Sequence, residues 1–183
     1  MSIDAIRVGQ GFDIHRFTDD PERRLVLGGV VFEGARGLVG HSDADVIAHA
    51  CADALLGAAG MGDIGEHFPD TDPQWKGVDS LVILDRVASM VRASGWTVGN
   101  IDCSVVCEEP KLAPHRDAMQ HKLSEVTGAP VSVKGRRAEG LGALRAGKPA
   151  SLAASSTTPL VGAAVVKTIR PVVFTQRVLV TIP

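Results

Sequence analysis

The stretch Gly40-His41-Ser42-Asp43-Ala44-Asp45-Val46-Ile47-Ala48-His49 constrains the chain more than any other. Short polar residues give way to residues that favour helix. The pattern predicts a loop that becomes a helix over 42–58, with Ser42 or Asp43 as its cap. Ile47, Cys51, Ala54, Leu55 and Ala58 recur at helical spacing and form its buried face. Asp45, His49 and Asp53 stand at i, i+4 and i+8 on a second stripe. A polar stripe is ordinarily the wet face of a helix, but this one sets a histidine between acids and has few long charged side chains.

A second segment, Gly11-Phe12-Asp13-Ile14-His15, lies in a predicted strand from Ile3 to Phe17 that bends at its glycines. Asp13 and His15 are two residues apart, so in a strand they project from one face. Leu25 to Phe32 is apolar around Gly28-Gly29 and predicts a hairpin. The segment from Gly62 to Pro73 is rich in Gly, Pro and Asp, which predicts an irregular loop of the kind that carries function. Asp79 caps a predicted helix that Gly95 stops, with Leu81, Leu84, Val87, Ala88 and Val91 facing the core. Val98 to Cys107 alternates as a strand, Pro114 opens a helix to about Thr127, and Val131 to Lys134 is a short strand. The order predicts an α/β (α+β) two-layer sandwich: a mixed sheet with helices on one face.

The chain has 183 residues, enough for one domain with a core. Nineteen basic against 21 acidic residues leave a formal charge of −2, and aromatics are only 4%. Neither favours a nucleic-acid surface, and no apolar run approaches the roughly 18–20 residues of a membrane helix. The three cysteines, Cys51, Cys103 and Cys107, have no CxxC spacing and read as reduced, packed thiols. With no basic-then-apolar segment at the start, the expected location is cytoplasmic. After Leu144 the character changes: fifteen of the nineteen residues from Ala146 to Ala164 are Ala, Gly, Pro, Ser or Thr. Such a segment buries too little to offset its ordering entropy. Val165 to Ile182 is strand-like around Pro171, as an edge strand, a hairpin or an unpaired segment.

Gly11 to His15, Gly40 to Ala50, Asp53 to Gly57, Gly62 to Gly65, Phe68 to Asp72 and Pro110-Lys111-Leu112, taken in order, resemble one family: the 2-C-methyl-D-erythritol 2,4-cyclodiphosphate synthases of the non-mevalonate isoprenoid pathway. The resemblance runs from about Ile6 to Leu144. It implies a synthase-like domain over 1–144, a divergent tail over 145–183, and a homotrimer with active sites between subunits. It also implies a nucleotide-diphosphate substrate, 4-diphosphocytidyl-2-C-methyl-D-erythritol 2-phosphate. The 2-phosphate would attack the β-phosphorus and CMP would leave, making the enzyme a phosphorus–oxygen lyase.

The resemblance also assigns roles. Asp13, His15 and His49 fall on the zinc ligands, a donor set that suits Zn²⁺ and leaves a fourth position open. Glu139 falls on the position of Mg²⁺ or Mn²⁺, bridging substrate phosphates. His41 and Ser42 match the phosphate-facing pair, with His41 stabilising the transition state. Asp63, Ile64 and Gly65 match contacts to the methylerythritol part, and Phe68, Asp70 and Asp72 the flap around it. Cys107, Pro110, Lys111 and Leu112 fall in the cytosine pocket. His67, His115 and His121 match no role and read as surface or capping residues.

The chain departs from the family at Lys134-Gly135-Arg136-Arg137-Ala138-Glu139. Arg136 and Arg137 stand where the family carries two threonines that contact the diphosphate, the second, at Arg137, assisting the transition state. Guanidinium groups can clamp phosphate but are far larger than threonine. Beyond Leu144 the family's glycine-arginine-glycine signal is lost. Two further readings follow: a zinc-binding homologue with weak or no turnover, and, from the residues alone, a zinc phosphoesterase.

Overall fold

The computed structural model describes residues 6–137 and the strands at 160–166 and 178–181. Glu139 and the 144/145 boundary lie outside the described residues. The expected first strand is two, β1 (Ile6–Gly9) and β2 (Gly11–Arg16), broken at Gln10. The hairpin forms as β3 (Leu25–Leu27) and β4 (Val30–Phe32), turning through Gly28-Gly29. Then come α1 (Val46–Ala59), α2 (Ile64–His67), α3 (Ser80–Ala93), β5 (Thr97–Val106), α4 (Arg116–Thr127), β6 (Val131–Arg136), β7 (Leu160–Val166) and β8 (Val178–Thr181).

Among the described residues six strands form one mixed sheet, in the order β1-β8-β5-β7-β2 with β6 also on β5. β5 runs parallel to β6 and antiparallel to β7 and β8. The alternation of β5 is as expected: Ile101, Cys103 and Val105 are buried beneath the helices. α1 lies over β1 and β2, and its small residues let it come very close. A Cβ at Gly9 would stand 1.8 Å from the Ala54 carbonyl oxygen, and one at Gly11 1.9 Å from that of Ala50. The glycines therefore set the helix-to-sheet distance, and that distance fixes how α1 is presented to β2. Cys51 on α1 meets Cys103 on β5, with sulfurs 3.7 Å apart and both thiols buried.

Four expectations are corrected. The first helix starts at Val46, capped by Asp45 and not by Ser42 or Asp43. Ala44, at φ 59°, takes the chain off the helical path just before it. The Asp45 carboxylate accepts from the amides of Ile47 and Ala48 and also from Gly28 and Gly29 in the hairpin turn. One buried acid thus caps α1 and ties β3–β4 to it, so the head of the polar stripe is not wet. The loop after α1 contains a full turn, α2, because Asp63 caps it by accepting from the Glu66 amide at 3.0 Å. β6 runs two residues further than expected, along β5 to Arg136. Neither late strand is an edge: β7 lies between β2 and β5, and β8 between β1 and β5. β1 and β2 do not pair with β5 directly, so both flank a gap whose backbone groups need partners.

Candidate active site

Alternation along β2 turns Asp13 and His15 toward α1, while Phe12 and Ile14 point away from it. The first helical turn of α1 brings His49 over the same strand. Ligand atoms of Asp13, His15 and His49 all lie within 4.8 Å of one another, on half-buried side chains. Asp13 Oδ2 is the hub, 3.1 Å from His15 Nε2 and 3.0 Å from His49 Nδ1. His15 Nδ1 lies 2.5 Å from the Val39 carbonyl oxygen. An imidazole nitrogen beside a carbonyl carries a proton, so Nε2, the nitrogen turned to Asp13, is the one a bound cation would take. Gly40 leaves room for that ring, since a Cβ there would stand 3.1 Å from His15 Cε1.

Burial is the largest single influence on Asp13 and acts to raise its carboxyl. Hydrogen bonds from His15 and His49, with their charges, outweigh it and hold the carboxyl well below the usual range. For His15, burial acts to lower the ring, but the hydrogen bond and charge of Asp13 prevail and raise it. Two imidazoles and a carboxylate converging on one point are a donor set for a borderline-soft divalent cation such as Zn²⁺.

The loop before α1 is held from several sides. The Arg23 guanidinium donates to the carbonyls of Leu38 (3.0 Å), Gly40 (3.1 Å) and Ser42. The His41 carbonyl accepts from Gly77 N at 2.8 Å, while the half-buried His41 ring has no hydrogen-bond partner among the described residues. The Ser42 hydroxyl is turned inward, 4% exposed, and lies 3.0 Å from His49 Nε2 and 3.1 Å from Ser80 Oγ.

The remaining predicted residues fall into two groups. Asp63, Ile64 and Gly65 form the start of α2. That turn is fastened to α1 by the Ile64 amide, which donates to Asp53 at 2.8 Å. Phe68 meets Trp75 edge-on at 4.9 Å, and Arg86 stacks on the other ring at 5.0 Å. Asp72 accepts from Gln74 N at 3.0 Å and caps the turn Pro73–Trp75, while Asp70 is exposed. Cys107, Pro110, Lys111, Leu112, Arg136 and Arg137 line one cavity of about 250 Å³, together with Glu108 and Arg116. None of the residues lining it belongs to the Asp13–His15–His49 group.

Sequence reasoning missed Arg23, Asp43 and Ser80 as parts of the site. Asp43 was expected only as a possible helix cap, and Arg23 and Ser80 carried no assignment. Nothing in their spacing shows that they meet. Of the unassigned histidines, His67 contacts the Met61 carbonyl at 2.7 Å, His115 packs on Phe32, and His121 pairs with Glu125 on the surface.

Comparison with known proteins agrees with this geometry. The YgbB family model matches residues 6–160. A 2-C-methyl-D-erythritol 2,4-cyclodiphosphate synthase of Trichlorobacter lovleyi is 49% identical over 140 residues, covering 75% of this chain and 88% of that protein. A bifunctional enzyme IspD/IspF of Anaeromyxobacter dehalogenans is 51% identical over 162 residues, 87% of this chain but 41% of that longer protein. The fold is similar to a solved 2C-methyl-D-erythritol-2,4-cyclodiphosphate synthase in a CDP-bound form, with TM-score 0.75 and 33% identity over 95% of this chain and 99% of that one. With the match running through both β2 and α1, the chain belongs to the YgbB family, the lyases known as 2-C-methyl-D-erythritol 2,4-cyclodiphosphate synthases.

Proposed function

We propose that the chain converts 4-diphosphocytidyl-2-C-methyl-D-erythritol 2-phosphate to 2-C-methyl-D-erythritol 2,4-cyclodiphosphate and CMP. The observation that carries this is the convergence of Asp13, His15 and His49 in a chain of this family. These three residues would hold Zn²⁺, and Glu139 Mg²⁺ or Mn²⁺. When bound, the metals supply Lewis acidity at phosphate oxygens. The His41 ring, without a partner among the described residues, is available to donate to the phosphates as charge builds between the 2-phosphate and the β-phosphorus. Arg136 and Arg137, at the rim of the 250 Å³ cavity, would clamp the diphosphate in place of the family's threonines. The same cavity would take the cytosine.

The working unit would be a homotrimer. Phe12 (56% exposed) and Ile14 (39%) stand on the sheet face away from the helices, an apolar surface of the kind that an obligate interface covers. The cavity and the metal residues share no lining residue, so a neighbouring copy would bring one cavity to another copy's Asp13–His15–His49. No helix among the described residues is long and apolar enough to cross a membrane, and we place the reaction in the cytoplasm.

A ³¹P NMR time course with the diphosphocytidyl substrate, Zn²⁺ and Mg²⁺ tests the reading. CMP and the cyclic diphosphate are the expected products. Inorganic phosphate instead would mean a phosphoesterase. The replacement of both threonines by arginine favours a second reading, a folded zinc-binding homologue without turnover, which would leave the spectrum unchanged.

A further inference from the structure

Two residues far apart in sequence, Asp43 and Ser80, meet behind His49. Ser80 Oγ lies 2.9 Å from His49 Nε2, and it also donates to Asp43 Oδ1. Asp43 is itself fixed: its Oδ2 accepts from the Ser80 amide at 3.2 Å, its Oδ1 from the Asp45 amide at 3.1 Å, and its own amide donates to the Val78 carbonyl at 3.0 Å. Ser80 is 1% exposed, so no water competes for these bonds.

The hydrogens can be counted. A hydroxyl has one proton, and that of Ser80 goes to the Asp43 carboxylate, which can only accept. What Ser80 turns to His49 is therefore a lone pair. A bare Nε2 facing it at 2.9 Å would be repelled, and the single proton of Ser42 cannot relieve that contact. Only an Nε2–H satisfies it.

We propose that Ser80, held by Asp43, is a positioning residue of the metal centre. It keeps a proton on His49 Nε2, so that Nδ1, which lies 3.0 Å from Asp13 Oδ2, is the nitrogen a bound cation would take. This rests on the reading of those three residues as metal ligands. It adds a dependence that no feature of α1 or β2 reveals: the N-terminus of α3 sets which nitrogen of His49 can bind a cation.

Two measurements on the full chain test it. Long-range ¹H–¹⁵N NMR of the Zn²⁺-loaded protein should show the His49 ring protonated on Nε2. Zn²⁺ titration against a competing chelator should give Ser80→Ala an affinity about 10–100-fold weaker than wild type, with Ser80→Thr, which keeps the hydroxyl, close to wild type. A proton on Nδ1, or a Ser80→Ala variant that binds Zn²⁺ as wild type does, overturns the proposal. The NMR result on the wild-type chain decides the matter even if Ser80→Ala does not fold. A wild-type chain that fails to bind Zn²⁺ sinks the metal reading itself and is thereby distinguished from a failure of Ser80.

Discussion

At the scale of residues, Asp13 is the point on which the site turns, because one of its oxygens meets both histidines. Replacing it by alanine removes one of the three proposed ligands and the group that meets the other two. Zn²⁺ affinity should fall by more than the roughly 100-fold that loss of an outer-shell partner causes, as read by competition with a chelator. The pH dependence follows from the same pair. The His15 ring is raised above 6.5, so in the metal-free protein its interaction with Asp13 stabilises the fold fully below 6.5 and is lost as pH rises through the folded value. The Asp13 carboxyl is held low, so its contribution is present above about 3.9 and is lost as pH falls through the depressed folded value. The pair therefore supports the metal-free fold best between about 4 and 6.5. Zn²⁺ binding runs the other way: His15 must lose its proton, so affinity should weaken as pH falls, with a midpoint above that of a free imidazole. Chemical denaturation of the metal-free protein and Zn²⁺ titration across this range should show the opposed slopes.

At the scale of elements, the site depends on how closely α1 lies on the sheet. Gly11→Ala would drive a methyl group into the Ala50 carbonyl. That contact is with backbone and has no flexible end to give way. Urea denaturation should show a loss of about 3 kcal/mol, the upper end of overpacking, and Gly9→Ala the same. Asp45 matters for a different reason. Burial and the charge of Asp43 push its carboxyl up to about 6, while the amides of Gly29, Gly28 and Ala48 pull the other way. Its loss leaves two amides of the helix start and two of the hairpin turn without their acceptor. Asp45→Ala should cost about 3 kcal/mol, more than an ordinary cap, and a circular-dichroism melt would show it. An unchanged melting temperature would mean that water replaces the carboxylate in all four places.

At the scale of the whole molecule, the helices cover one face of the sheet and leave apolar side chains on the other. If a second and third copy cover Phe12 and Ile14, then Phe12→Asp should give monomers in light scattering. Product formation should vanish with the trimer while Zn²⁺ binding by Asp13, His15 and His49 persists. Loss of binding as well would place the metal residues under the control of the interface. The sheet itself is closed by β7 and β8, which join β2 and β1 to β5.

The sequence by itself determined the repeating elements and the chemistry-bearing residue types. The apolar face of α1, the alternation in β5 and the Gly28-Gly29 turn were all legible, because each reflects a local period or a local backbone demand. Asp13 and His15 could be placed on one face for the same reason. Which residues would gather around them could not be read that way. Asp43 read only as a possible cap, and Ser80 and Arg23 carried no local signal at all. Each gained its part only when α3, the loop before α1 and the segment before the hairpin packed together. The small-residue run from Leu160 looked unable to order itself, yet its backbone fills the gap between β2 and β5. Periodicity reports on the face that an element offers, whereas hydrogen-bond partners between distant segments depend on packing, and only the tertiary structure decides that.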